Sequence, residues 1–199
     1  MKAVRIFSWL AILVVGLFLL NRYVNTSEQA SNGPGGPFTL TAHTGAKVSD
    51  TDFRGRYMLV YFGYSFCPDV CRIELHKLST ALKILEDQGY DLSPIQPLFI
   101  SVDPERDTVE ELADYVLDYH SSLIALRGTL EETADVAKKY RVYYAKREQQ
   151  GMDGYLMDHQ SYIFVMDQDG KYNRLFTSRD TPEDIAEVFK PVLTLKEDS

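Results

Sequence analysis

The chain opens on an unbroken apolar run, Ile6 to Leu20, with Lys2 and Arg5 before it and Arg22 behind it. A positive flank ahead of an apolar core marks an export signal. Fifteen helical residues span about 22 Å, short of a hydrocarbon core of about 30 Å. Adding Tyr23 and Val24, with Arg22 snorkelling to the headgroups, brings the segment close to a full span. The nearest small-x-small triad, Glu28-Gln29-Ala30, puts a charge where a cleavage site wants a small residue. Residues 1–24 therefore read as a retained anchor with its N-terminus inside, because Lys2 and Arg5 precede the span. Residues 25–36, rich in Gly, Ser and Pro, read as a linker, and residues 37–199 as one folded domain.

In that domain the pattern alternates between strand and helix. Phe38–Thr41 and Lys47–Ser49 flank a turn at His43–Gly45 and predict a short hairpin. Arg56–Phe62 and Pro97–Val102 are continuous apolar runs, the mark of strands buried on both faces. Val70–Gln88 carries Ile73, Leu75, Leu78, Leu82 and Leu85 at helical spacing and stops at Gly89. Thr108–His120 and Glu131–Tyr140 predict two more helices, with a short strand at Leu123–Leu126 between them. Lys146–Asp158 is polar and predicts an exposed loop. Ser161–Met166 and Tyr172–Phe176 predict a hairpin, and a last helix starts at Thr181-Pro182. Such an order argues an α/β fold, a mixed sheet with helices on both faces.

Composition changes this picture only in what it excludes. The 199 residues carry a net charge of −8, and since residues 1–36 hold +2, the domain holds −10. An acidic body does not suit nucleic acid, whose phosphates call for clustered Lys and Arg. Two cysteines are too few for a disulfide framework.

Those two cysteines carry the chemistry. In Tyr61-Phe-Gly-Tyr-Ser-Phe-Cys67-Pro-Asp-Val-Cys71 a buried strand runs into a loop that opens a helix. Four residues apart at that helix's N-terminus, their Cα atoms stand about 6 Å apart on one face. That separation admits a disulfide and also lets both sulfurs reach one metal ion. Unpaired N–H groups at a helix start favour thiolate over thiol. Two buried structural thiols are the bland alternative, and an exported chain would oxidise such a pair.

Two thiolates suit soft ions such as Cu(I) or Zn(II), and an imidazole would complete the set. Of the four histidines, His76 falls half a turn away from Cys67 on the helix. His120 closes a predicted helix, where a cation is welcome, and His43 sits in a solvated turn. His159 stands between the polar loop and a buried strand, where only some topologies bring it to the cysteines. Met152 and Met157 are weaker candidates, and Asp69 and Asp158 could orient a ligand.

Three motifs in order resemble the Sco/SenC family: residues 61–71, Phe99-Ile-Ser-Val-Asp103-Pro-Glu-Arg-Asp-Thr108, and Asp158-His159 ahead of Phe164–Gly170. The resemblance covers roughly residues 37–195. It implies a thioredoxin-like fold and a membrane-anchored assembly factor for the copper centres of cytochrome c oxidase. It further implies copper, as Cu(I) or Cu(II), on Cys67, Cys71 and His159, with Cys67 and Cys71 cycling between dithiol and disulfide. Implied partners are the oxidase subunit that bears copper, other periplasmic copper chaperones or thiol reductants, and the membrane. The implied location is a bacterial inner membrane, with the domain on the periplasmic side. Arg72 departs from the proline the family commonly carries after the second cysteine, which alters local charge and not the ligand set. Two readings stand beside each other: a copper metallochaperone, and a thiol–disulfide reductase acting on the oxidase's own cysteines. A peroxidase fits poorly, since no Thr-x-x-Cys precedes either cysteine.

Overall fold

Hydrophobic runs of five or more residues have to be covered on two faces, and the central strands are. The computed structural model describes residues 15–16, 33–148 and 154–196. The chain divides into two units, Met1–Asn32 and Gly33–Ser199. In the first, only Val15 and Gly16 are described, so the run read as an anchor lies otherwise outside the described residues. Among those residues no helix is long and apolar enough to cross a membrane.

The described residues of the second unit form nine strands: β1 Thr39–Ala42, β2 Lys47–Ser49, β3 Tyr57–Gly63, β4 Ile95–Ser101, β5 Ile124–Arg127, β6 Tyr144–Glu148, β7 Tyr155–His159, β8 Ile163–Met166 and β9 Tyr172–Phe176. Seven of them form one sheet in the order β2-β1-β5-β4-β3-β8-β9. β3, β4 and β5 run parallel, and the remaining pairs are antiparallel. Six of the seven residues of β3 and all of β4 are buried, as their continuous apolar runs require. Among the described residues the α-helices are α1 Val70–Asp87, α2 Val109–Tyr115, α3 Leu130–Tyr140 and α4 Pro182–Phe189. α1 packs on α4, and its Cys71, Leu75, Leu78, Leu82 and Leu85 face the core. Ile73, expected on that face, points to solvent. Thr129 and Thr181 cap α3 and α4, each in a reciprocal box with the acid three residues on.

Two expectations are corrected. The stretch read as an exposed loop, Lys146–Asp158, is largely an antiparallel hairpin of β6 and β7. Its strands are amphipathic in a way that composition hides. Met157 is buried and Tyr155 half-buried, while Lys146, Arg147, Glu148 and Asp158 are exposed. Arg147 reaches Asp158 at 3.2 Å across the strands. The helix expected to run to His120 ends at Tyr115, continuing as a single 3-10 turn over Val116–Asp118. His120 lies past it. Its Nδ1 accepts from the Ser122 N–H and its own N–H donates to Ser79 Oγ, so it braces a loop rather than a helix dipole.

Candidate metal centre

Strand direction decides what meets at the end of the sheet. β3 and β4 run parallel, so the segments that follow Gly63 and Ser101 leave from the same edge. β8 runs antiparallel to β3 with Ile163 opposite Tyr61, so the chain entering β8 arrives at that edge too. Three segments distant in sequence thus converge where open α/β sheets place their sites, beyond the strands' carboxyl ends.

The cysteine loop turns tightly after β3. Cys67 N–H donates to Tyr64 C=O at 3.2 Å, and the helix begins only at Val70. Cys71 is helical and Cys67 is not, which corrects the expectation of both on one helix face. Pro68 is the reason: a residue before proline is pushed out of the helical region, and Asp69 is non-helical as well. The backbone N–H groups at the helix start, those of Asp69 and Cys71, favour the Cys67 thiolate.

Gly63 is required here. A β-carbon at this position would stand 2.8 Å from Cys71 Sγ and 3.0 Å from the Phe99 and Tyr61 rings. The loop is further tied to the one after β4. The buried Asp107 carboxylate accepts from the Ser65 N–H at 3.2 Å, from Ser65 Oγ at 2.7 Å and from Ser101 Oγ. Arg127 donates to the backbone carbonyls of Asp107 and Pro104 at 2.7 and 2.8 Å. Burial nevertheless leaves the Asp107 carboxyl above the ordinary range.

His159 is the last residue of β7. Its Nε2 stands 3.2 Å from Cys71 Sγ, and the ligand atoms of Cys67, Cys71 and His159 all lie within 4.8 Å of one another. Its Nδ1 lies 3.2 Å from Gln160 C=O. An N–H there donates to the carbonyl and leaves the Nε2 lone pair aimed at the sulfurs. The rings of Tyr61 and Tyr64 meet the imidazole edge-on, at 6.2 and 5.8 Å. Asp158, considered as an orienting acceptor, instead pairs with Arg147.

Both thiols are free and buried, and they are unequal. A hydrogen bond from Cys71 holds Cys67 down to about 4, against its burial and with further help from the backbone N–H groups of Asp69 and Cys71. Cys71 moves the other way, because burial and the neighbouring Cys67 both oppose a second negative charge. The metal-free pair thus holds one proton between two sulfurs. An ion about 2.3 Å from each sulfur and about 2.0 Å from the nitrogen spans donors up to about 4.6 Å apart, which matches this cluster. Two soft sulfurs and one imidazole suit copper or zinc.

The other histidines do not join them. His76 is exposed and lies against the Tyr119 ring at 5.1 Å. His43 Nδ1 accepts from the Ala125 N–H, a structural tie rather than a solvated turn. Met157 is buried beneath the hairpin, and Met152 lies outside the described residues.

A family profile described as SCO1/SenC matches residues 26–194. The chain belongs to the SCO1/SenC family. Among its curated relatives, Protein sco1 of Schizosaccharomyces pombe is 40% identical over 154 residues, 76% of this chain and 58% of that protein. The human mitochondrial Protein SCO1 homolog is 41% identical over 152 residues, 76% of this chain and 50% of its own length. The chain therefore matches little more than half of these relatives. Among solved SCO1/SenC structures, Arabidopsis thaliana ScoI with copper bound is 38% identical with a TM-score of 0.73, covering 80% of this chain and 98% of that one. Bradyrhizobium japonicum ScoI with copper bound gives 38%, 0.73, 80% and 99%. The thioredoxin-like α/β fold, a mixed sheet with flanking helices, agrees with these neighbours.

Sequence reasoning passed over Gly63, Arg106, Asp107 and Tyr155. The run Asp103–Thr108 stood out only as part of a resemblance, since nothing local says that its carboxylates turn back on the cysteine loop.

Proposed function

We propose that this chain carries copper as cargo, held by the Cys67 and Cys71 sulfurs and the His159 imidazole, and delivers it to the dinuclear copper centre of cytochrome c oxidase. The observation that carries this reading is the convergence of those three ligand atoms within 4.8 Å from two separate chain segments. Copper-bound relatives at 38% identity support it. Two thiolates alone satisfy Cu(I), while Cu(II) calls on the imidazole, so one site can hold either state. The copper-bearing oxidase subunit is the recipient, and other periplasmic copper chaperones or thiol reductants load and reset the pair. The apolar run Ile6–Leu20 anchors the domain to the outer side of a bacterial inner membrane, a reading supported by Lys2 and Arg5 ahead of it.

A second reading rests on the inequality of the two thiols. Cys67, the thiolate, attacks a target disulfide, forms a mixed disulfide and expels one target thiolate. Cys71 gives up its proton and attacks Cys67, which releases the second target thiolate and leaves a Cys67–Cys71 disulfide. The target gains the two electrons that this chain loses.

Copper stoichiometry of the full chain in detergent separates the readings. The reduced chain should take up one copper, and the disulfide form essentially none, because its sulfurs are no longer thiolates. Stoichiometric copper in the disulfide form removes the cysteines as ligands. Reduced protein that binds no copper yet reduces a disulfide peptide leaves the reductase alone.

A further inference from the structure

His159 is held on an unusual support. Among the described residues, the β6–β7 hairpin pairs only with itself and forms no ladder with the seven-stranded sheet. A lone two-stranded hairpin is marginal in water, so side chains must fix its position. Those side chains gather on Arg106. Its Nη1 donates to the Tyr155 C=O at 2.9 Å, and its guanidinium lies 3.8 Å from the centre of the Tyr155 ring. Its Nε donates to Asp103 at 2.5 Å, and the Tyr155 hydroxyl donates to the other oxygen of that carboxylate at 2.7 Å. Asp103 is 1% exposed, so this ring of contacts is rooted in the body.

Arg106 Nη2 is buried without a hydrogen-bond partner. A stray donor would be costly there, but the guanidinium also sits 5.1 and 5.5 Å from the Phe66 and Tyr64 rings. Aromatic faces can receive a cation where no acceptor stands. The same guanidinium therefore touches the hairpin through Tyr155 and the cysteine loop through Phe66, which precedes Cys67, and Tyr64, whose ring meets His159.

We propose that Arg106 is a positioning residue for His159, clamping the hairpin to the cysteine loop so that the imidazole stands beside the two sulfurs. The inference rests on the copper reading for its purpose, and on the clamp geometry for its existence. A lysine cannot replace Arg106, because the contact uses a flat cation over aromatic rings and two separate N–H directions at once.

The test uses the full chain and reads it both without and with metal. In metal-free, reduced Arg106→Ala, amide exchange over residues 155–159 should quicken by about tenfold or more, while β3 exchanges as in the wild type. On Cu(II) the variant should bind about tenfold more weakly and show altered thiolate-to-copper absorption and electron paramagnetic resonance, with Cu(I) stoichiometry kept. Arg106→Lys should shift both readouts in the same direction, and Tyr155→Phe, which keeps the ring under the guanidinium, should shift them less. Unchanged exchange together with a wild-type Cu(II) spectrum in Arg106→Ala overturns the proposal. If exchange quickens throughout Arg106→Ala, Tyr155→Ser decides. Changes confined to the hairpin and the Cu(II) spectrum support the clamp, and none overturns it. A wild type that binds no copper defeats the copper reading, whereas the metal-free exchange still reports on the clamp.

Discussion

The two sides of the candidate site are held in different ways. On the cysteine side, β3 is hydrogen-bonded to β4 and β8, and the loop after it is gripped by the buried Asp107. On the histidine side, among the described residues β7 is paired only with β6, and side chains carry the hairpin to the body. The cysteines thus follow directly on a strand held by backbone ladders on both sides. The histidine is fixed by contacts that can change one at a time. On the copper reading, that division would let the two thiolates retain Cu(I) while the third ligand governs Cu(II).

Gly63→Ala should make the largest break, on the rigid side. A methyl group 2.8 Å from Cys71 Sγ has no room, and its neighbours are two rings in a packed core. The fold should lose about 1–3 kcal/mol, read by denaturant unfolding, and affinity for both copper states should fall. Unaltered Cu(I) and Cu(II) affinities would show that the cysteine side is not rigid.

His159→Ala should act on the other side alone. Cu(II) affinity should drop by about 10–100-fold in competition titrations, with Cu(I) stoichiometry and the Cys67–Cys71 disulfide retained. Loss of Cu(I) together with Cu(II) would make the histidine as essential as the sulfurs and erase the distinction.

A smaller effect lies in the pH dependence of the metal-free, reduced chain. Cys67 is held to about 4 in the folded state, below its unfolded value, so its contribution to stability is complete above the ordinary thiol range and is lost as pH falls towards about 4. One thiolate's ultraviolet absorbance should persist as pH drops from about 8 to about 5, where an ordinary thiol would have none. Absorbance that vanishes below neutrality would place both thiols on an equal footing.

The smallest effects belong to the remaining histidines. His76→Ala should leave copper unchanged, since His76 only rests on Tyr119 at the surface. His120→Ala should cost about 1 kcal/mol of stability, through the lost Ser122 contact, and nothing in copper affinity. A copper defect in either would move the site.

Much of the frame was legible because its causes are local. Continuous apolar runs become β3 and β4, the 3.6 period becomes α1, and Thr181-Pro182 opens α4. The β6–β7 hairpin was not legible. Its outward residues are charged and its inward ones few, so the average over the window reads as loop. Helical spacing at the cysteines misled for a similar reason, because a period says nothing of where the first turn begins, and Pro68 delays it.

By itself the sequence determined the elements of the sheet, the strand–loop–helix setting of Cys67 and Cys71, and the soft character of any ion they hold. These depend on residue type and on neighbours a few positions away. Tertiary structure decided how His159 reaches the sulfurs, because the antiparallel run of β8 brings its chain to the edge where β3 ends. It also decided that the two thiols differ. A proton settles on Cys71 because that sulfur is the more deeply buried, while N–H groups at the helix start favour the Cys67 thiolate, and burial exists only once the chain has folded.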